Sequence, residues 1–138
     1  MKNLLLAADG SEHSIRAAQK AVELAKLSGD AKITIVYAID GATSKADVLH
    51  NTDKLIIEKK RKEKLQEVED TVKQAGIEVE LKMLQGEPGP TIVDFANEHD
   101  FEYVIIGSRG LNKLQSMVLG SVSHKVAKRV QAPVMIVK

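Results

Sequence analysis

The segment that decides the fold is YVIIGSRGLNKLQSMVLGSV, which runs from Tyr103 to Val122. Its first four residues are apolar and have high β-propensity, so they predict a buried strand that ends at Gly107. The GSRG sequence at 107–110 predicts a turn in which two residues without a Cβ can take positive φ and let backbone amides approach a ligand closely.

The second half of this segment predicts the start of a helix. Gly120 and Ser121 follow Gly110 after a gap of nine residues, and they open a run of valines at helical spacing: Val118, Val122, Val126 and Val130. Free N–H groups at a helix start, the positive end of the helix dipole and a serine hydroxyl together suit a phosphate. Glycines at the end of a parallel strand are also common for turning alone, so a purely structural turn is the alternative.

The N-terminal third of the chain reads as strand, helix and strand. The continuous apolar run 4–8 predicts a strand covered on both faces, and Asp9 marks its end. Ser11 is a candidate N-cap for a helix that Gly29 stops. The β-branched run 32–39 predicts a second buried strand that ends near Ala38.

The middle of the chain combines a polar stretch with a long helix. Residues 41–52 are polar and weakly periodic, which predicts a surface loop, and residues 53–75 predict a helix. Its second half carries an apolar stripe of Leu65, Val68, Val72 and Ala75. The charged residues 58–64 favour a solvated helix face over a basic binding patch because acidic side chains lie among the basic ones.

The remaining elements complete an alternating pattern. Residues 77–83 alternate and predict a strand near a sheet edge, and Pro90 lies near the start of a helix with Ile92, Phe95, Ala96 and His99 on one side. A final helix ends at about Val130, and 133–137 predicts the last strand. Five strands alternating with four helices predict an α/β fold, a doubly wound, Rossmann-like parallel sheet of order 3-2-1-4-5 with helices on both faces.

Such a sheet binds ligands where the strand order reverses, here between the first and fourth strands. Asp9 ends the first of these strands and Gly107 follows the second, so two distant features converge on one crevice. An ionised Asp9 accepts two donors, which the vicinal hydroxyls of a ribose would supply. The alternative is that Asp9 only braces its own turn. The backbone at Ala38 suits recognition of a base edge.

We therefore predict a nucleotide site made of two kinds of residue. Small or apolar residues would line the base and ribose, while glycine, serine and arginine groups would meet the phosphates. The predicted nucleotide-binding residues are Ala7, Ala8, Asp9, Ala38, Ile106, Gly107, Ser108, Arg109, Gly110, Gly120, Ser121 and Val122.

The pattern G-x2-G-x9-G-[ST] resembles the nucleotide-binding motif of the universal stress protein family. The resemblance extends over essentially the whole chain, through Leu4–Asp9 with Gly10-Ser11, Tyr37–Asp40, Gly86-Glu87-Pro88 and Ala132–Val137. It implies an ATP-binding member, with Asp9 as the acid, Ala38 at the base, and Gly110, Gly120 and Ser121 at the phosphates. It also implies ATP, ADP or AMP as the ligand, with magnesium arriving on the nucleotide, and a homodimer that pairs through the C-terminal strand.

Composition narrows the classes of function. With 138 residues we expect residues 1–138 to form one domain. A net charge of +1 and only four aromatic residues argue against nucleic acid as a partner. The sequence has no cysteine, and no segment has the apolar length of a signal peptide or a membrane span, so we expect no membrane partner and a cytoplasmic protein.

No catalytic constellation is evident in the sequence. A Walker loop needs a lysine before Ser121, a dinucleotide fold needs more glycines after the first strand, and 107–110 is one residue short of a hydrolase elbow. The four histidines lack ligand-like spacing, so we expect no metal site built by the protein. The main hypothesis is a nucleotide-dependent regulatory or stress-response module with an unknown protein partner. The alternatives are a slow nucleotide hydrolase or transferase, and an interaction protein that binds no nucleotide.

Overall fold

Strands and helices alternate in the computed structural model, which describes residues 2–9, 11–39, 51–109 and 120–138. The elements are β1 Lys2–Ala7, α1 Glu12–Ser28, β2 Ala31–Ile39, α2 Asn51–Gln74, β3 Glu78–Gln85, α3 Pro88–Glu98, β4 Tyr103–Gly107, α4 Ser121–Arg129 and β5 Val134–Val137. None of the helices within these ranges has the length and apolar character needed to cross a membrane.

All four strand pairings are parallel, and the sheet has the order β3-β2-β1-β4-β5. The predicted fold class and strand order are therefore confirmed. Ala7 is the register partner of Ile106, so β1 and β4 end side by side. This is the switch point where the chain order reverses.

Residues 4–7 of the central strand β1 are all apolar because both faces of this part of the strand pack on helix layers. Leu4, Leu5 and Leu6 are all fully buried. Leu4 and Leu6 pack with the buried residues of α1 and α2, whereas Leu5 packs with those of α3 and α4. Alternate side chains of a strand point to opposite faces, so a strand buried on both sides has no polar positions. At about 25 cal/mol per Å² of apolar area, burial of such side chains is the main term that stabilises the fold.

The ends of α1 follow the predicted caps. The side chain of Ser11 accepts a hydrogen bond from the Ser14 amide at 3.3 Å, and Gly29 ends the helix with a φ of 87°. The left-handed φ at Gly29 is one that residues with a Cβ rarely adopt.

One helix begins earlier than predicted, and another begins two residues before Pro90, which was predicted to lie near its start. Helix α2 begins at Asn51, so the last two residues of the predicted loop 41–52 are helical, and its residues 41–50 lie outside the described residues. Helix α3 begins at Pro88 because the missing amide of a proline is tolerated in the first turn. It ends at Glu98, so His99 lies just past the helix, where its ring packs on Phe95 with centroids 4.3 Å apart.

The charged part of α2 is solvated, as predicted. Lys59, Lys60, Lys62 and Glu63 are exposed, while Leu65, Val68 and Val72 of the following turns are buried in the core. Strand β3 lies at a sheet edge, which the alternating pattern predicted. Its apolar residues Leu81 and Met83 remain 37% and 50% exposed.

Candidate functional site

A cluster of hydrogen bonds ties Asp9, at the end of β1, to the first turn of α1. Oδ1 of Asp9 accepts from the Ser11 amide at 3.0 Å and from the Ser14 hydroxyl at 2.7 Å. The amide of Asp9 donates in turn to the Ser14 hydroxyl oxygen at 2.9 Å. The bracing of its own turn, which the sequence left as an alternative for Asp9, is thus present in the structure, and it fixes where the carboxylate lies.

Ser14 is the residue of this cluster that the sequence analysis missed. Its relative exposure is 3%, so it is too enclosed to attack a substrate, and its contacts are local. A small polar residue three positions after an N-cap serine, on the face that also buries Ala17 and Ala18, is the signal that could have found it.

Gly107 lies against the first turn of α1 rather than in a glycine-only conformation. The described glycines with positive φ are Gly29, Gly76 and Gly86, so Gly107 does not use the conformational freedom that a glycine offers. A Cβ at Gly107 would lie 2.8 Å from the Cβ of His13 and 3.1 Å from its carbonyl carbon and oxygen. Glycine is needed here because the backbone of α1 approaches closely, and not because of the backbone conformation at Gly107.

The first turn of α4 is fastened to the same end of β4. The Ser123 hydroxyl donates to the Gly107 carbonyl, and the Gly120 amide donates to the Ser108 carbonyl at 2.8 Å. The Ser108 amide donates to the Val137 carbonyl at 2.7 Å. In this structure the Gly120 amide already has the Ser108 carbonyl as its acceptor, and the predicted contact of Gly120 with phosphate stays a prediction. The next amides along α4, those of Ser121 and Val122, begin the helix proper.

Three of the helices that start at this edge of the sheet, α1, α3 and α4, differ in the electrostatic character of their first turns. Helix α1 is capped by the Ser11 side chain and has Glu12 in its first turn. Helix α3 opens with Pro88, which has no amide hydrogen to donate. Helix α4 follows Gly120 with no capping side-chain bond and no acidic residue in its first turn. Its N-terminal dipole is therefore the one that suits an anion best.

The residues predicted to line the base are mostly buried in the core. Ala7, Ala8 and Ile106 are 4%, 5% and 6% exposed, so little of their surface remains for a ligand. Ala38 is half-buried near the end of β2, where it is the register partner of Leu84. Because Ala38 was predicted to act through its backbone, its position at the carboxyl edge is the relevant feature.

The remaining predicted residues are spread along the β4 to α4 connection. Arg109 is half-buried directly after Ser108, which is buried, and on α4 Ser121 is exposed while Val122 is half-buried. Gly110 lies outside the described residues. The structure thus brings Asp9, Gly107, Ser108 and the start of α4 to one place.

A separate cleft of about 510 Å³ lies at the opposite edge, among the amino ends of β1, β4 and β5. Lys2, Asn3, Asn97 and Phe101 line part of it, as does Glu102, whose amide donates to the Asn3 carbonyl at 2.8 Å. Since α/β sheets bind ligands at the carboxyl edge, we assign it no role in the site. Within the described ranges no three histidine or acidic side chains are grouped so as to hold a metal ion.

The fold is that of an open-sheet α/β protein. At the carboxyl edge of its sheet, the first turns of α1 and α4 meet at the switch point between β1 and β4. The model of the universal stress protein family matches residues 1–138, and the chain belongs to that family.

Individual relatives agree over nearly the full chain. The universal stress protein YxiE of Bacillus subtilis is 34% identical over 145 residues, which cover 98% of this chain and 97% of that protein. The solved structure of hypothetical protein MJ0577 has a TM-score of 0.81 at 28% identity, covering 99% of this chain and 95% of that one. A universal stress protein solved in complex with cAMP has a TM-score of 0.71 at 29% identity, covering 99% and 96%.

Proposed function

We propose that residues 1–138 form one domain that binds an adenine nucleotide, namely ATP, ADP or AMP, and acts in the cytoplasm as a nucleotide-dependent stress-response module. The observation that carries this proposal is the convergence of the first turns of α1 and α4 on the end of β4, through the contacts of Gly107 with His13 and Ser123. A similar universal stress protein has been solved with cAMP, which supports an adenine ligand.

The two helix starts would take different parts of the nucleotide. Asp9, held beside the capped start of α1, would accept bonds from the ribose hydroxyls. The amides of Ser121 and Val122, at the uncapped start of α4, would donate to phosphate oxygens. We keep Gly110 and Arg109 as further phosphate contacts and the backbone of Ala38 as the contact to the base. With these contacts the protein would belong to the ATP-binding subgroup of the family, which carries the G-x2-G-x9-G-[ST] pattern.

A magnesium ion would come with the nucleotide rather than before it. Magnesium keeps several waters and binds through phosphates together with one or two carboxylates. Asp9 is a carboxylate at this edge whose Oδ1 atom already accepts two hydrogen bonds. Phosphate and water would therefore supply most ligands of the ion.

The test begins with the protein as purified. Denaturation releases any bound small molecule, which is then identified by chromatography with mass detection. A near-stoichiometric adenine nucleotide supports the proposal. Nucleotide-stripped protein is next titrated with ATP, ADP, AMP and cAMP in a calorimeter, with and without magnesium. An empty supernatant together with no heat for any of these would overturn it and leave the role of an interaction protein.

The same samples separate binding from turnover. A Ser14 that is 3% exposed is not a nucleophile, and Asp9 is engaged with its own helix, so neither is placed for efficient hydrolysis. ATP with magnesium is incubated with the protein and product is counted. Product well beyond one equivalent would instead support the slow hydrolase or transferase.

We also propose that the protein is a homodimer that pairs through β5, with a further protein partner that reads the nucleotide state. The two edges of the sheet differ in charge. Strand β3 carries Glu78, Glu80 and Lys82, which discourage pairing, whereas β5 reads Val134–Val137 without a charge and is half-buried along its length. An uncharged apolar edge suits pairing with a second copy.

A further inference from the structure

We propose that Ser14 is a positioning residue that makes the site selective for ribonucleotides, because it locks the Asp9 carboxylate in one orientation. This inference deepens the proposed function and rests on it. It assigns a role to a residue that contacts no ligand and acts only through Asp9.

The hydrogen-bonding capacity of Ser14 is directed at Asp9. A hydroxyl has one proton to donate, and the shortest contact of the Ser14 oxygen is that to Oδ1 of Asp9 at 2.7 Å. The same oxygen accepts from the Asp9 amide at 2.9 Å. The Ser14 hydroxyl therefore forms hydrogen bonds with both the side chain and the backbone of Asp9. A bond to a carboxylate is charge-assisted and stronger than a neutral one.

Capping of the helix does not account for this arrangement. The cap is supplied by the Ser11 side chain, which accepts from the backbone amide of Ser14 at 3.3 Å. The hydroxyls of Ser11 and Ser14 are 3.4 Å apart, a longer contact in which Ser11 can be the donor. The helix would keep its cap without the Ser14 hydroxyl, whereas the carboxylate of Asp9 would lose one of the two donors to Oδ1.

Orientation matters because of what the carboxylate would recognise. Two vicinal hydroxyls need acceptor directions at fixed positions, and a carboxylate anchored through Oδ1 by two donors keeps its acceptor directions fixed. A 2′-deoxynucleotide lacks one of these hydroxyls, so a rigid site would leave an acceptor without its donor. A carboxylate that can rotate would adapt to either sugar, and selectivity would fall.

The test compares ATP with 2′-deoxyATP by titration calorimetry on the full chain. Wild type is expected to prefer ATP by roughly tenfold or more, and Ser14→Ala is expected to reduce this preference to about threefold or less. Ser123→Ala is the matched control. Ser123 is the third residue of α4, as Ser14 is of α1, and both are 3% exposed, but Ser123 donates to the Gly107 carbonyl. Its substitution should leave the ratio of the two affinities unchanged.

A double-mutant cycle measures the coupling between Ser14 and Asp9 in ATP affinity. A purely structural role of Ser14 would give no such coupling. If Ser14 acts through Asp9, then Ser14→Ala should change ATP affinity by less than about twofold in an Asp9→Ala background. Additive losses, or an unchanged ATP preference in Ser14→Ala, would overturn the positioning role while leaving nucleotide binding intact. Wild type that binds no nucleotide would overturn the proposed function, and this inference with it. Ser14→Thr, which keeps a hydroxyl, should restore most of the preference.

Discussion

Gly107 and His13 meet so closely that a single added carbon would not fit between them. A Cβ at Gly107 would lie 2.8 Å from the Cβ of His13 and 3.1 Å from its carbonyl group. The neighbouring atoms are helix backbone and the base of a side chain, which cannot rotate away. This contact sets how close the first turn of α1 comes to the end of β4, and thereby the spacing of the proposed site.

We expect Gly107→Ala to destabilise the protein by about 1–3 kcal/mol, the usual effect of overpacking against atoms that cannot move. The free energy of unfolding is measured by urea denaturation. Gly89→Ala is the matched control. Its added Cβ would lie 2.7 Å from Cδ of Lys125, the flexible part of a side chain, and 3.6 Å from Cβ.

The control variant has a different expected sign. Gly89 lies inside α3, where alanine is the better helix former, so Gly89→Ala should be neutral or stabilising by up to about 1 kcal/mol. Equal losses for both variants would show that the contact between Gly107 and His13 has no special rigidity.

Asp9→Asn should weaken nucleotide binding by about 1.5–3 kcal/mol, because hydrogen bonds to a charged acceptor are stronger than those to an amide. The amide oxygen can still accept from Ser11 and Ser14, so the urea midpoint should stay close to that of wild type. Calorimetric titration with ATP measures the affinity. Unchanged affinity in a folded variant would remove Asp9 from the site.

Gly120→Asp should raise the free energy of unfolding and lower the affinity for nucleotide. Gly120 has φ −66° and ψ 161°, an extended conformation that any residue adopts, and it caps α4 without a side chain. An aspartate there would cap the helix and add a few tenths of a kcal/mol of stability. Its charge would repel phosphate, so we expect nucleotide affinity to fall by roughly tenfold or more.

Gly120→Asn separates the two effects, since asparagine caps as well as aspartate but carries no charge. It should give the same gain in the urea midpoint with a smaller loss of affinity. If both variants bind nucleotide like wild type, the phosphate does not lie at the start of α4.

The ion pair between Lys32 and Glu80 predicts a pH-dependent stability. Their charged atoms are 2.9 Å apart across β2 and β3. The hydrogen bond from Lys32 lowers the pKa of Glu80, and the same bond raises the pKa of Lys32. The contribution to stability is therefore present above the ordinary carboxyl pKa, lost as the pH falls through the lowered one, and lost again as the pH rises through the raised pKa of Lys32.

We expect Glu80→Gln to lower the urea midpoint slightly at neutral pH, and the difference from wild type to disappear in acid, where Glu80 is protonated. Both groups are solvated, so the difference should also shrink in about 1 M salt. A difference that persists in acid would show that Glu80 stabilises by packing rather than by charge.

Met135→Lys should weaken the proposed dimer by roughly tenfold or more, because a charge on an edge strand opposes pairing. Met83→Lys is the matched control on the opposite edge, where Met83 is 50% exposed on β3. Sedimentation velocity over a range of concentrations measures the dimer. If Met83→Lys dissociates the protein and Met135→Lys does not, the interface is at β3.

Most of the fold could be predicted from the sequence because its signals are local or periodic. The run 4–8 is apolar on both faces and so predicted a central strand, and Ser11 and Gly29 predicted the ends of α1. The alternation of strands and helices then predicted the parallel order 3-2-1-4-5. The two-residue shift at Asn51 is within the usual fraying of helix ends.

For the candidate site, the sequence predicted the edge of the sheet but not the individual contacts. The sequence placed Asp9, Gly107 and Gly120 at one edge because the carboxyl ends of parallel strands share it. It did not reveal that the Gly120 amide donates to the Ser108 carbonyl, nor that the first turn of α1 packs against Gly107. Such facts depend on which atoms meet across distant segments, which periodicity does not encode.

The sequence by itself therefore determined the elements, their order and the edge where a ligand would bind, because propensity, capping and apolar periodicity act within a few residues. Only the tertiary structure decided why Gly107 is a glycine and how Asp9 is held. The first depends on the approach of His13, and the second on a hydroxyl at Ser14 that the turn folds back onto the carboxylate. The approach of α1 to the end of β4, which leaves no room for a Cβ at Gly107, is set by the packing of helices on the sheet.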